Sequence, residues 1–299
     1  MRRSTRALAA CLLLSASVGS GTAAASAPSD TAQDAPSEAA SDVKNVVTYG
    51  DSYAANPHQI VGMANQYEEL KPLLADYPRT GQLESGKECL QAPDNWPRLL
   101  ENGGELDVSD WSCTAQTSRT MLDRIDASID AGDLTADTDS VVFPVGLNNF
   151  GPWGQKDGLD VTDFDAVQDA YASDMREAAR RVRAVAPDAE LVIGGMPQLT
   201  AGDTFCFVNV VPDRPFGLPV EYLTRVQDAA QSMQRDSAAE IGAEFVDLRA
   251  NSQGHDSCAP DQQRYIAGLI DTTTPDYKMI VHPSQLGQEF IAGQVSAAL

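Results

Sequence analysis

Short β-branched runs alternate along the chain with longer stretches whose apolar residues recur every three or four positions. Asn45-Val46-Val47-Thr48-Tyr49 predicts a buried strand that ends at Gly50, and Ser140–Val145, Glu190–Ile193 and Glu244–Leu248 repeat the pattern. A weaker strand is expected at Asp107–Trp111. Runs with no polar side suit parallel strands covered on both faces. Between them, Val167, Tyr171, Met175, Ala178, Val182 and Val185 mark one face of a helix over Asp165–Val185, which Pro187 stops. Met121, Leu122, Ile125 and Ile129 mark another helix, Tyr222, Val226, Ala229 and Met233 a third, and Leu286, Phe290 and Val295 a last one. This alternation predicts an α/β fold: a single-domain, three-layer α/β/α sandwich with about five parallel strands. Ligands of such a sheet sit beyond the carboxyl ends of its strands. Chemistry is therefore sought just after Tyr49, Trp111, Val145, Ile193 and Leu248.

The first residues do not fit this pattern. Arg2, Arg3 and Arg6 precede the apolar run from Ala7 to Leu14, and small residues follow to Ala23-Ala24-Ala25. That layout predicts a secretory signal peptide over residues 1–25. Residues 26–42 lack large apolar groups and are expected to form a flexible leader. No later stretch approaches the roughly 20 apolar residues of a membrane span. The remaining residues, 43–299, suit one α/β domain. A monomer is expected.

Charge narrows the partners. The chain carries −22 at pH 7, near −25 once the signal residues and their three arginines are removed. Such a chain repels nucleic acid and anionic membrane surfaces. Cys89, Cys113, Cys206 and Cys258 remain after residue 25. An even count in an exported chain reads as two disulfides. Three pairings are possible, of which the one without crossing, Cys89–Cys113 with Cys206–Cys258, is favoured. No two of these cysteines have the close spacing of a zinc site.

Three sites carry candidate chemistry. Gly50-Asp51-Ser52 leaves the first strand and would expose a serine at the sheet's edge. Val145-Gly146-Leu147-Asn148 leaves the strand at 140–145, and an asparagine amide there can donate a hydrogen bond to developing charge. Among the three histidines, His58 and His255 lie in polar stretches, whereas His282 immediately precedes the last predicted helix. His282 is the better placed base near neutral pH.

Together, and in this order, the motifs resemble those of the SGNH (GDSL-type) hydrolases, in particular their secreted actinobacterial lipases and esterases. The resemblance covers nearly all of residues 43–299 and implies a flavodoxin-like hydrolase fold and carboxylic ester hydrolysis without metal or cofactor. It makes Ser52 the nucleophile, Asn148 an oxyanion donor and His282 the base. Asn95-Trp96-Pro97 and Gly254-His255-Asp256-Ser257-Cys258 also look like the secreted branch and support the pairing favoured above. Two positions depart from the family. Thr114 stands where a glycine after Cys113 would supply an oxyanion N–H; a threonine N–H can donate equally. Met279 stands where an Asp three residues before the histidine is common. The Met279 carbonyl is then expected to orient His282 in a serine–histidine dyad, with the Asp276 carboxylate as the alternative.

Phe150, Trp153, Phe205, Phe207 and Phe216 are expected to border an acyl-chain groove, which favours lipid or long-chain ester substrates. A carbohydrate O-acetyl esterase or acyltransferase is the alternative within enzymes, and an exported binding protein lacking catalysis is the alternative of another class.

Overall fold

The computed structural model describes residues 43–80 and 89–299. The expected signal peptide and the leader at 26–42 lie outside the described residues. The chain enters through β1 (Lys44–Thr48), followed by α1 (Ser52–Ala55) and α2 (Gln59–Ala64). The antiparallel pair β2 (Arg79–Thr80) and β3 (Cys89–Leu90) leads through α3 (Trp96–Leu100) to β4 (Leu106–Asp110) and α4 (Ser118–Ala131). Next come β5 (Ser140–Val142), α5 (Pro152–Lys156), α6 (Phe164–Val185) and β6 (Glu190–Gly194). An arm of β7 (Thr204–Asn209) and β8 (Phe216–Pro219) precedes α7 (Glu221–Ile241), β9 (Glu244–Val246) and α8 (Leu248–Asn251). The chain finishes through β10 (Ile270–Asp271) and α9 (Gln285–Ser296).

The central sheet runs β4-β1-β5-β6-β9 and is parallel throughout. Strand side chains alternate between faces, and along β1, β5 and β6 both faces are largely buried. Val47, Val141, Leu191 and Ile193 pack with Met121, Met175 and Met233 from α4, α6 and α7. Val46, Val142 and Val192 pack on the other side with Trp96, Leu100, Ile291 and Val295 from α3 and α9. Each such buried apolar side chain stabilises the fold by about 1.5–3 kcal/mol. Helix α6 starts where the Asp163 side chain accepts from Ala166 N–H and ends just before Pro187.

Three expectations change in detail. The strand at 140–145 ends ladder pairing at Val142, because Pro144 has no N–H to donate. The strand at 244–248 gives way after Val246, where the Asp247 side chain caps α8. The sheet β10-β7-β8 was not expected from the pattern. It lies on the same arm as three of the five aromatics, and these five do not form one groove. Phe150 and Phe205 are core residues, Phe207 is half-buried, and Trp153 and Phe216 are exposed.

Disulfides join Cys89 to Cys113 and Cys206 to Cys258, closing loops of 24 and 52 residues. The second ties β7 to the loop after α8. Loop-closure entropy gives each bridge a stabilisation of about 3–4 kcal/mol. Replacing Cys206 and Cys258 together by serine is therefore expected to lower unfolding free energy by about that amount. Denaturant titration of folded wild type and variant measures it, and an unchanged midpoint would contradict the assignment of this bridge as a major constraint on the arm.

Candidate active site

Ser52 is the first residue of α1, at the carboxyl end of β1, and is buried. The turn before it has no room for a side chain. A Cβ on Gly50 would lie 2.2 Å from Ala54 Cβ and 2.6 Å from Ser112 Oγ. Gly50 is also the knot of the site. Its N–H donates to Ser112 Oγ at 3.0 Å, while its carbonyl accepts from Cys113 N–H at 2.9 Å and Gln116 Nε2 at 3.0 Å. Asp51 caps α1, accepting from Tyr53 N–H at 2.8 Å. Burial pushes its carboxyl pKa up to about 7, against the lowering effect of that one hydrogen bond.

His282 Nε2 lies 2.8 Å from Ser52 Oγ, across 230 residues of sequence. Its other nitrogen, Nδ1, lies 2.8 Å from the carbonyl of Ile280. This corrects the expectation at Met279: the orienting carbonyl belongs to the residue two before the histidine. The cause is Val281, held at φ +61° in the left-handed region. A β-branched residue rarely adopts that conformation, and the sharp turn folds the preceding carbonyl back onto the ring. Tyr53 Oη donates to Val281 O at 2.8 Å, and the Tyr53 ring lies 4.8 Å from the imidazole. Val281 N–H donates to Gly268 O, and Ala267 N–H to His282 O, which fixes the turn to the segment beside β10.

Asp276, the alternative partner, is exposed, and among the described residues its carboxylate makes no hydrogen bond to the imidazole; its backbone carbonyl accepts from Gln285 N–H. Asp271 spends its carboxylate on Gly268 N–H, Asn209 Nδ2 and the Thr274 hydroxyl. Among the described residues no carboxylate hydrogen-bonds His282. The other histidines lie elsewhere. His58 caps α2 through Nδ1, and His255 stacks on Tyr265 with its Nδ1 at the Gln263 carbonyl.

Candidate donors for the site lie on three segments. Asn148 Nδ2 donates to Gln116 O at 2.9 Å, which fixes the amide; its second hydrogen has no acceptor among the described residues. Asn149 faces away and holds Ser118 instead. Among the described residues, the N–H groups of Ser52, Thr114 and Ala115 have no acceptor. Thr114 is exposed, and the left-handed residue of this turn is Ala115, at φ +70°. The conformation that favours glycine thus falls one residue later than the threonine expected to occupy the glycine's place. Sequence reading missed Gln116, which ties Asn148 to Gly50, as well as Tyr53, Ala115 and Ile280. Gln116 carried a usable signal: a polar residue between a cysteine and a helix cap, Thr117. Ala115 and Ile280 depend on backbone turns that carry no residue signature, and the Tyr53 hydroxyl reaches a backbone carbonyl, Val281 O, that any residue would offer.

A parallel α/β/α sandwich with a serine–histidine pair at its carboxyl edge has the arrangement of a serine hydrolase. Residues 48–290 match the GDSL-like Lipase/Acylhydrolase family, and the chain belongs to it. It is similar to "Lipase 2" of Streptomyces coelicolor, 27% identical over 232 residues that cover 68% of this chain and 75% of that protein. It is also similar to an esterase of Streptomyces scabiei, 26% identical over 97% of this chain and 91% of that one. The fold matches that of phospholipase A1 from Streptomyces albidoflavus, with a TM-score of 0.57 and 17% identity, covering 86% of this chain and all of the other. The protein is a carboxylic ester hydrolase.

Burial pulls the His282 pKa down to about 4, against a smaller upward pull from the Ile280 carbonyl. The imidazole accepts a proton only when neutral, so kcat/KM should rise with pH through about 4 and lose little activity between 6.5 and 5. Any second inflection near 7 is assigned to Asp51 and should vanish in Asp51→Asn. Initial rates from pH 3.5 to 9 test both points; an acid limb near 6.5 that persists in Asp51→Asn would contradict the desolvated histidine.

Proposed function

We propose that this protein is a secreted serine hydrolase that cleaves lipid or long-chain acyl esters through an acyl-enzyme on Ser52. The observation that carries the reading is the 2.8 Å contact between Ser52 Oγ and His282 Nε2, with Nδ1 held by a backbone carbonyl. In the first step His282 Nε2 takes the hydroxyl proton as Ser52 Oγ bonds to the ester carbonyl carbon. The oxyanion is held by Ser52 N–H, by the free amide hydrogen of Asn148 and by the 114–115 turn, with Thr114 N–H as the expected donor there. The imidazolium then returns its proton to the departing alcohol as the C–O bond breaks. Water, deprotonated by the same imidazole, attacks the acyl-enzyme and releases the acid and Ser52.

The Ile280 carbonyl fixes the ring and the tautomer, so the base is a dyad rather than a triad. A neutral carbonyl supports the imidazolium less than a carboxylate would, but desolvation already keeps the imidazole unprotonated and available. The names of the Streptomyces relatives, a lipase and an esterase, favour an ester substrate with a lipid-like acyl chain. The two disulfides and the basic, apolar and small-residue order of residues 1–25 favour export. On this reading residues 1–25 are removed, residues 26–42 form a leader, and residues 43–299 are the hydrolase domain.

Hydrolysis of p-nitrophenyl esters from acetyl to palmitoyl tests the proposal. Ser52→Ala and His282→Ala should each abolish turnover, and the double variant should lose little more, because the two residues act as one unit. Asn148→Ala should lower kcat by about 10²–10³-fold, the usual loss for one oxyanion donor. Asp276→Asn should keep at least about a tenth of wild-type kcat, since loss of a true triad Asp costs about 10⁴-fold. Turnover confined to acetyl esters would contradict the long-chain reading, and substantial turnover by folded His282→Ala would contradict the site.

A further inference from the structure

The segment that leaves α1 exposes a stripe of large apolar side chains next to the loop that holds His282. Ile60 is 69% exposed, Met63 58%, Tyr67 60%, Leu70 38% and Leu73 80%. Helix α2 buries none of its residues. Ile60 and Met63 are three apart and share one face of α2. Beyond α2 the backbone continues in three-residue turns: Tyr67 N–H donates to Ala64 O, Leu70 N–H to Tyr67 O, and Leu73 N–H to Leu70 O. Turns of that size bring side chains at i and i+3 into line, so Tyr67, Leu70 and Leu73 extend the apolar edge.

This stripe is tied to the candidate site. Gln59 N–H donates to Lys278 O at 2.9 Å, and Ile280 N–H donates to Gln59 Oε1 at 3.4 Å. Ile280 is the residue whose carbonyl orients His282. Whatever covers the outer face of α2 is therefore one hydrogen-bonded residue from the frame of the base.

We propose that this face docks the enzyme onto the surface of aggregated ester lipid that is uncharged or zwitterionic, an inference that rests on the lipid-hydrolase reading of the Ser52–His282 site. The charge pattern selects this occupant. Gln59–Tyr67 contains no Asp, Glu, Lys or Arg, while the chain as a whole carries −22. An anionic surface would be repelled, whereas a neutral one meets an α2 end with no charged side chain, Glu68, Glu69 and Lys71 lying farther on between Tyr67 and Leu73. Tyr67 adds an apolar ring with a polar tip, the kind of side chain suited to a boundary between lipid and water. A second copy of the chain fits less well. A standard dimer interface takes about 20–30 residues a side, far more than five side chains supply, and each copy brings the same negative charge.

The test compares wild type with the triple variant Ile60→Ser, Met63→Ser, Leu73→Ser. These side chains are exposed, so the fold should survive, and circular dichroism checks it. Co-sedimentation with phosphatidylcholine vesicles and hydrolysis of emulsified triolein should each fall by at least about tenfold in the variant, as expected when apolar contacts with an interface are lost. Hydrolysis of soluble p-nitrophenyl acetate should stay within about twofold of wild type, because the stripe does not touch Ser52 or His282. Equal vesicle binding by wild type and variant would overturn the proposal. So would an equal loss on the soluble ester, which would make the stripe part of the substrate site, or a dimer-to-monomer shift on gel filtration, which would assign it to a second copy. A wild-type enzyme that cleaves soluble short-chain esters but no long-chain ester in any form would overturn the lipid reading, and vesicle binding would still decide the docking face.

Discussion

The 2.8 Å hydrogen bond between Ser52 Oγ and His282 Nε2 joins two residues that neither share an element nor lie near each other in sequence. A contact of that length tolerates little drift, so each end has to be fixed by its own surroundings. The serine end is fixed through Gly50, whose backbone meets Ser112, Cys113 and Gln116 at once. The same three contacts bring the 112–116 segment, and through Gln116 also Asn148, to the serine. One glycine thus sets both Ser52 and its candidate donors. Any side chain there would collide with Ala54 and Ser112.

The histidine end is fixed by a strained turn. Val281 in the left-handed region costs roughly 1–3 kcal/mol, and its surroundings hold it there. Tyr53 bonds its carbonyl, Gly268 accepts its N–H, and Asp271 in turn holds Gly268 N–H. Strand β10 anchors this same region to β7, which the Cys206–Cys258 bridge in turn ties to the loop after α8. Tyr53, one residue after Ser52, therefore links the two ends of the pair directly. In place of a buried carboxylate this site uses a carbonyl, which needs no counter-charge in a dry setting. The consequence is an imidazole with a low pKa, oriented through the backbone carbonyl of Ile280.

Those features explain what could be read before the structure. The central strands were legible because both of their faces are buried, so Val46-Val47 and Val141-Val142 appear as unbroken apolar runs. Helices α4, α6, α7 and α9 were legible from apolar residues spaced three and four apart. The β7–β8 arm was not, since its strands are held by pairing and by a bridge rather than by a two-sided core, and Phe216 points to solvent. In the site, Ser52, Asn148 and His282 could be singled out as candidates because side-chain chemistry restricts which residues can fill such positions, and the structure brings Ser52 and His282 together. The orienting carbonyl was placed at Met279 instead of Ile280 because any residue offers a carbonyl, and only the φ of Val281 decides which one arrives. The glycine-like turn was placed at Thr114 instead of Ala115 for the same reason.

The central claim is that Ser52 is activated by His282 within this preformed pair, and covalent labelling tests it most directly. Folded wild-type protein should react with a serine-directed organophosphonate to give one adduct per chain by intact mass, mapped to the peptide that contains Ser52. His282→Ala, equally folded, should label far more slowly at the same residue. An adduct on another serine, or equally fast labelling of Ser52 without His282, would contradict the account.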